Sequence, residues 1–123
     1  MSEPQGFEIV GDHAEYRPIG ELSLARAIEL ITSGIAFARE HQVKNLMVIT
    51  LGLTGFQPPN VIERYHFINE WAKASGSVRV AVVAYPEMID PQKFGVTVAA
   101  NIGFVSDVFT SEEKASTWLR TLK

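Results

Sequence analysis

The chain alternates between short runs of apolar residues and longer segments in which apolar residues recur every three or four positions. Two runs, Leu46 to Ile49 and Val78 to Ala84, are almost continuously apolar and rich in β-branched residues. Such runs are typical of strands that are covered on both faces. We therefore predict that they form the two central, parallel strands of a sheet.

Two shorter runs near the N-terminus, Phe7 to Val10 and His13 to Arg17, alternate polar and apolar residues. They are joined by the dipeptide Gly11-Asp12, and a two-residue link of this kind predicts a β-hairpin. We expect both of its strands to be edge strands of the sheet.

Two helices are predicted from the segments between the hairpin and the second central strand. Ser23 is placed to cap the first, which should run from about Leu24 to His41. Asn60 and Glu63 have the spacing of a capping box at the start of the second. We predict that the core-facing stripe of this second helix consists of Val61, Tyr65, Ile68 and Ala72.

A third helix is predicted to start at Asp90, because proline at the following position, the first of the helix, loses no useful donor. Gly103 is suited to its end. The segment Phe104 to Phe109 then predicts a short last strand.

A final helix should open at Thr110, which has N-cap to N3 spacing with Glu113. Its inward positions are Ala115, Trp118, Leu119 and Leu122. The complete order is a hairpin followed by α-β-α-β-α-β-α. We therefore predict one α/β domain over residues 1–123, with four helices and a single mixed, mostly parallel sheet of about five strands that has the hairpin at its edge.

Composition and charge reduce the number of functions to be considered for this chain. The chain has 123 residues and a formal net charge of −3, and its 11 Lys and Arg residues are scattered, so we expect no nucleic-acid partner. It has no cysteine, which excludes disulfides and thiol nucleophiles. The N-terminal segment is polar and no apolar run approaches the roughly 18 residues of a membrane span, so we expect no membrane insertion and a cytoplasmic location.

The stretch Thr50 to Asn60 joins a central strand to a helix, where α/β proteins usually place a ligand or partner surface. It contains no Lys, His, Cys, Asp or Glu, so it offers no nucleophile-base pair, metal ligand or phosphate-binding lysine. His66 and Glu70 form an i,i+4 pair but fall opposite the predicted core stripe, as solvated pairs do. We expect no catalytic residue, no metal, no cofactor and no enzymatic activity.

The order of elements and the ending from Phe104 to Leu119, with its Phe-Thr-Ser-Glu-Glu-Lys-Ala-Ser-Thr-Trp-Leu sequence, resemble the STAS superfamily. The chain is most similar to the small stand-alone bacterial proteins that are anti-sigma-factor-antagonist-like. The resemblance implies a regulatory module that binds a protein partner. In that family an Asp-Ser-Ser/Thr-Gly motif starts the second helix and carries the phosphorylated residue. Here Gln57-Pro58-Pro59-Asn60 stands in that place, so the phosphoacceptor is missing and the phosphorylation switch is not expected.

A partner surface is predicted on the second helix. On a helical wheel Phe67 points away from the predicted core, Trp71 lies at the border and Arg64 lies beside it, and such residues are enriched at interfaces. With Phe56 and Gln57 they form a candidate surface for a protein partner or for a second copy in a homodimer. The alternative is that Phe67 packs under a neighbouring loop, or that Trp71 belongs to the core.

A carrier or sensor for a small apolar ligand or lipid is the alternative function. The superfamily's fold is shared with CRAL-TRIO domains that hold lipids, and loops 50–60 and 85–90 are placed to bracket a crevice. The candidate lining residues are Thr54, Phe56, Tyr85, Met88 and Phe94. An apolar pocket on the order of several hundred Å³, lined by Phe56, Tyr85 and Phe94, would favour the carrier, whereas a filled crevice beside an exposed Phe67 and Trp71 would favour the interaction module.

Overall fold

The computed structural model describes residues 3–11 and 13–122. Its strands are β1 (Phe7–Val10), β2 (His13–Tyr16), β3 (Gly20–Glu21), β4 (Asn45–Ile49), β5 (Leu53–Thr54), β6 (Arg79–Val83) and β7 (Ser106–Phe109). Its helices are α1 (Leu24–Glu40), α2 (Val61–Ser75), α3 (Phe94–Asn101) and α4 (Glu112–Thr121), and a short 3-10 helix, Pro86–Met88, precedes α3.

Five strands form the main sheet in the order β1-β2-β4-β6-β7. The pair β1 and β2 is antiparallel, and every other neighbouring pair is parallel. The predicted class is therefore confirmed: an α/β fold with four helices and a mixed, mostly parallel sheet of five strands. The two nearly continuous apolar runs form β4 and β6, which lie side by side at the centre.

The N-terminal hairpin forms as predicted, with Phe7 opposite Tyr16. Asp12 of its link lies outside the described residues. Of the two hairpin strands only β1 lies at an edge of the sheet, and the expectation that β2 is an edge strand is wrong because β2 pairs in parallel with β4. Ala14 and Tyr16 of β2 are buried, in agreement with the interior position of this strand. The alternating pattern of its sequence did not reveal that position.

The sheet is covered on both faces by helices. On one face Leu46, Val48 and Val80 pack in a cluster that includes residues of α1, α2 and α3. On the other face Met47, Ile49, Ala81 and Val83 pack against Ala115 and Leu119 of α4, as predicted for that helix. Three helices thus cover one face, and α4 packs on the other.

Two helix starts differ from their predicted positions. Residues 90–93 form a turn closed by a hydrogen bond from Lys93 N to Asp90 O (2.9 Å), with Pro91 at the position that such turns favour. Helix α3 therefore begins at Phe94, although the Asp90 carboxylate still accepts the Phe94 N–H (2.8 Å). Helix α4 is capped by Ser111 rather than Thr110.

The other helix ends agree with the sequence. Ser23 caps α1, and Asn60 and Glu63 form the predicted capping box of α2 with two 2.8 Å hydrogen bonds. Gly103 follows α3 with a positive φ of 78°, a conformation that glycine adopts without strain.

A second, two-stranded sheet pairs β3 with β5 in parallel and was not predicted. Each strand has two residues, which is too short for an alternating pattern to be recognised. Gly55, directly after β5, allows the backbone to pass close to Leu22. A Cβ at residue 55 would lie 2.6 Å from Leu22 O. This pairing holds the stretch after β4 against the chain that enters α1.

Gly34 is packed against the ring of Tyr16, and a Cβ at Gly34 would lie 2.5 Å from a ring carbon. We expect Gly34→Ala to lower the free energy of unfolding by about 1 kcal/mol, because overpacking of about 1 to 3 kcal/mol exceeds the helix-propensity gain of about 1 kcal/mol. Urea denaturation measures the change. Ser33→Ala, on the exposed side of α1, is the control and should be neutral or slightly stabilising. A Gly34→Ala protein as stable as the wild type would contradict the tight contact.

Candidate functional site

A cavity of about 130 Å³ lies beside the central strands, on the face covered by α1, α2 and α3. Thr50, directly after β4, and Val82 of β6 form part of its wall. The carboxyl ends of parallel strands are where α/β proteins usually bind ligands.

The cavity wall is mostly apolar. Its apolar and aromatic side chains are Leu24, Ala27, Ile28, Ile31, Leu53, Phe56, Pro59, Phe67, Ile68, Trp71, Val82, Tyr85, Met88, Val96 and Val108. Its polar side chains are Thr50, Arg64, Asp90, Lys93 and Ser106. No histidine is among these lining residues. A mostly apolar wall with a few polar groups is typical of sites that bind small molecules.

Hydrogen bonds fix the two loops that border the cavity. The backbone N–H and the Oγ1 hydroxyl of Thr50 both donate to Val83 O, at 2.9 and 2.8 Å. The Tyr85 hydroxyl donates to Leu51 O at 3.0 Å and so joins the loop after β6 to the loop after β4. The two Thr50 bonds hold the start of loop 50–60 at the end of β6, and the Tyr85 bond joins the two loops that were predicted to bracket a crevice.

Arg64 of α2 also lines the cavity, and hydrogen bonds hold its guanidinium group in place. Its Nη1 and Nη2 atoms both donate to Met88 O, at 3.3 and 3.2 Å, which ties α2 to the 3-10 helix. The other charged groups of the wall are engaged locally: Lys93 forms a 2.9 Å salt bridge with Asp107, and Asp90 caps α3. Within residues 3–11 and 13–122, no Asp or Glu forms a salt bridge with Arg64.

Trp71 is the most deeply buried aromatic residue of α2, with 6% of its surface exposed. Its ring packs against that of Phe67, with 4.5 Å between the ring centroids. The indole Nε1 is buried, and among the described residues it has no hydrogen-bond partner. Buried indole N–H groups usually find an acceptor, so this donor is unusual.

The orientation of α2 differs from the prediction. Val61 and Tyr65, expected in the core, are 54% and 48% exposed, whereas Trp71 is buried and Phe67 is half-buried against the core. The predicted exposed strip of Phe67 and Trp71 is therefore wrong, and the alternative that these residues pack inward is correct. Apolar residues occur on nearly every side of α2. Both the predicted stripe and the one that contains Phe67 and Trp71 therefore fit the helical period, and the sequence alone did not show which of them faces the core.

The two sets of predicted site residues overlap in this cavity. From the predicted partner surface, Phe56, Arg64, Phe67 and Trp71 line the wall, while Gln57 is exposed and lies outside it.

Three residues of the predicted crevice, Phe56, Tyr85 and Met88, also line the wall. Thr54 is exposed and, like Phe94, is not among the lining residues, although Gly95 and Val96 next to Phe94 are. The contribution of α1, through Leu24, Ile28 and Ile31, was not predicted as part of a site.

His66 and Glu70, the i,i+4 pair of the second helix, are both exposed on α2. In the described part of the chain, no group of three or more His, Cys, Asp or Glu side chains could hold a metal ion. None of the helices in that part has the length and apolarity that crossing a membrane requires. No family model, no curated protein and no solved structure matches the chain.

A pair of substitutions on α2 tests the observed orientation. Phe67→Ser should lower the free energy of unfolding by about 2 kcal/mol, because it removes a half-buried ring from the core boundary. Tyr65→Ser, two positions earlier and exposed, should change it by less than about 0.5 kcal/mol. Urea denaturation of both variants measures the difference, and equal effects or the reverse order would contradict the orientation.

Proposed function

We propose that this protein is a non-enzymatic module that binds a small apolar molecule in the cavity between loops 50–60 and 85–90. The apolar cavity itself is the observation that supports the proposal. An engineered cavity of about 150 Å³ lined by Leu, Ile and Phe binds benzene. A volume of about 130 Å³ therefore suits a ligand with the size of one ring or of a short branched chain, rather than a whole lipid.

The proposed likeness to the STAS superfamily is compatible with this function. The observed order, a hairpin followed by alternating helices and strands, supports that likeness. The stretch from Gln57 to Asn60 carries no serine or threonine at the start of α2, so we propose that ligand occupancy, rather than phosphorylation there, regulates the module.

Titration with toluene, followed by amide NMR spectra, tests the proposed binding. We expect saturable shifts at residues around the cavity with a Kd on the order of 1 mM, the affinity expected for one buried ring. Val96→Phe places a ring on the cavity wall and should abolish these shifts. Thr97→Phe adds the same ring on the exposed side of α3 and should leave binding unchanged. Absence of saturable shifts in the wild type would contradict the proposal.

A second candidate function is self-association through α2. Its first turns expose Val61, Ile62 and Tyr65 at 54%, 69% and 48%, and neighbouring apolar side chains of this kind favour a protein contact. This surface replaces the strip predicted at Phe67 and Trp71. The proposed partner is a second copy of the chain, as the sequence-based homodimer hypothesis allows.

Sedimentation velocity over a hundredfold range of concentration tests this candidate. We expect a wild-type dimer that Ile62→Ser converts to monomer, because the substitution removes the most exposed apolar residue of the surface. Glu70→Ser, exposed on α2 outside the surface, is the control and should remain dimeric. A wild-type protein that stays monomeric throughout would contradict self-association.

A further inference from the structure

We propose that the cavity's ligand is a small monocarboxylate whose apolar part is one aromatic ring or a branched aliphatic group of that size. The inference rests on the proposed ligand-binding function and adds to it the charge and the acceptor atoms of the ligand. The guanidinium of Arg64, on α2, carries it.

The guanidinium group of Arg64 is suited to binding an anion. It has five N–H donors in a planar fork, and in the structure its hydrogen bonds go to one acceptor, Met88 O. The group stays charged at any ordinary pH and forms no salt bridge with a described carboxylate. Beside an apolar wall, a charge-assisted hydrogen bond is stronger than in water. Among anions, a carboxylate can accept from the fork and keep its apolar part in the cavity.

The other charges of the wall do not compete for this role. Lys93 is paired with Asp107 at 2.9 Å, and the Asp90 carboxylate accepts the first N–H of α3. Arg64 therefore supplies the donors for the carboxylate, and the apolar side chains of the wall contact the rest of the ligand.

Three probes of similar shape separate charge from apolar fit: benzoate, its neutral analogue benzamide, and toluene. Binding is measured by NMR titration at pH 7, where benzoate is ionised. We expect benzoate to bind wild-type protein about tenfold more tightly than benzamide, because charge-assisted hydrogen bonds are roughly twice as strong as neutral ones.

One variant assigns the preference to the proposed side chain. Arg64→Met keeps the length of the stem and should abolish the difference between benzoate and benzamide. Toluene should still bind this variant, which shows that its cavity is formed.

The outcomes separate this inference from the function on which it rests. If wild-type protein binds none of the probes, both fail. If toluene binds but benzamide binds as tightly as benzoate, the ligand is not an anion and only this inference fails. A benzoate preference that persists in Arg64→Met would also overturn the assignment.

Discussion

The whole structure depends on two parallel strands, β4 and β6, that are apolar on both faces. A strand of this kind is stable only where both of its faces are covered, and here helices supply the cover. Leu46, Val48 and Val80 face α1 and α2, while Met47 and Ala81 face α4. The crossovers that place helices on these faces also bring the loops after β4 and β6 together at one edge of the sheet.

The two faces of the sheet are covered differently. Under α4, Ala115 and Leu119 are buried, and the larger rings of Trp118 and Phe109 pack beside them. On the opposite face a cavity remains among α1, α2 and α3. Thr50 and Tyr85 fix the neighbouring loops through backbone acceptors, so the space is bounded by hydrogen-bonded walls. The geometry therefore offers a preformed binding volume, which reduces the entropy lost when a ligand is ordered.

The sequence predicted the class and order of elements because apolar runs and helical periods extend over many residues. It did not predict β3 and β5, whose pairing depends on contacts between distant two-residue segments. It named Phe56, Tyr85 and Met88 for a crevice, but it placed Phe67 on the wrong side of α2 and Trp71 only at the border of the core. Local periodicity allowed two orientations of that helix, and only packing against α1 and the sheet selects one.

The chain has two tryptophans, and the fold places them on opposite sides of the sheet. Trp71 belongs to the cluster of α1 and α2, whereas Trp118 packs beside Phe109 in the α4 layer, with 5.6 Å between the ring centroids. Their fluorescence therefore comes from separate layers of the molecule. With Trp118 replaced by phenylalanine, emission reports the cavity layer alone. With Trp71 replaced instead, it reports whether the α4 layer unfolds together with the rest or ahead of it.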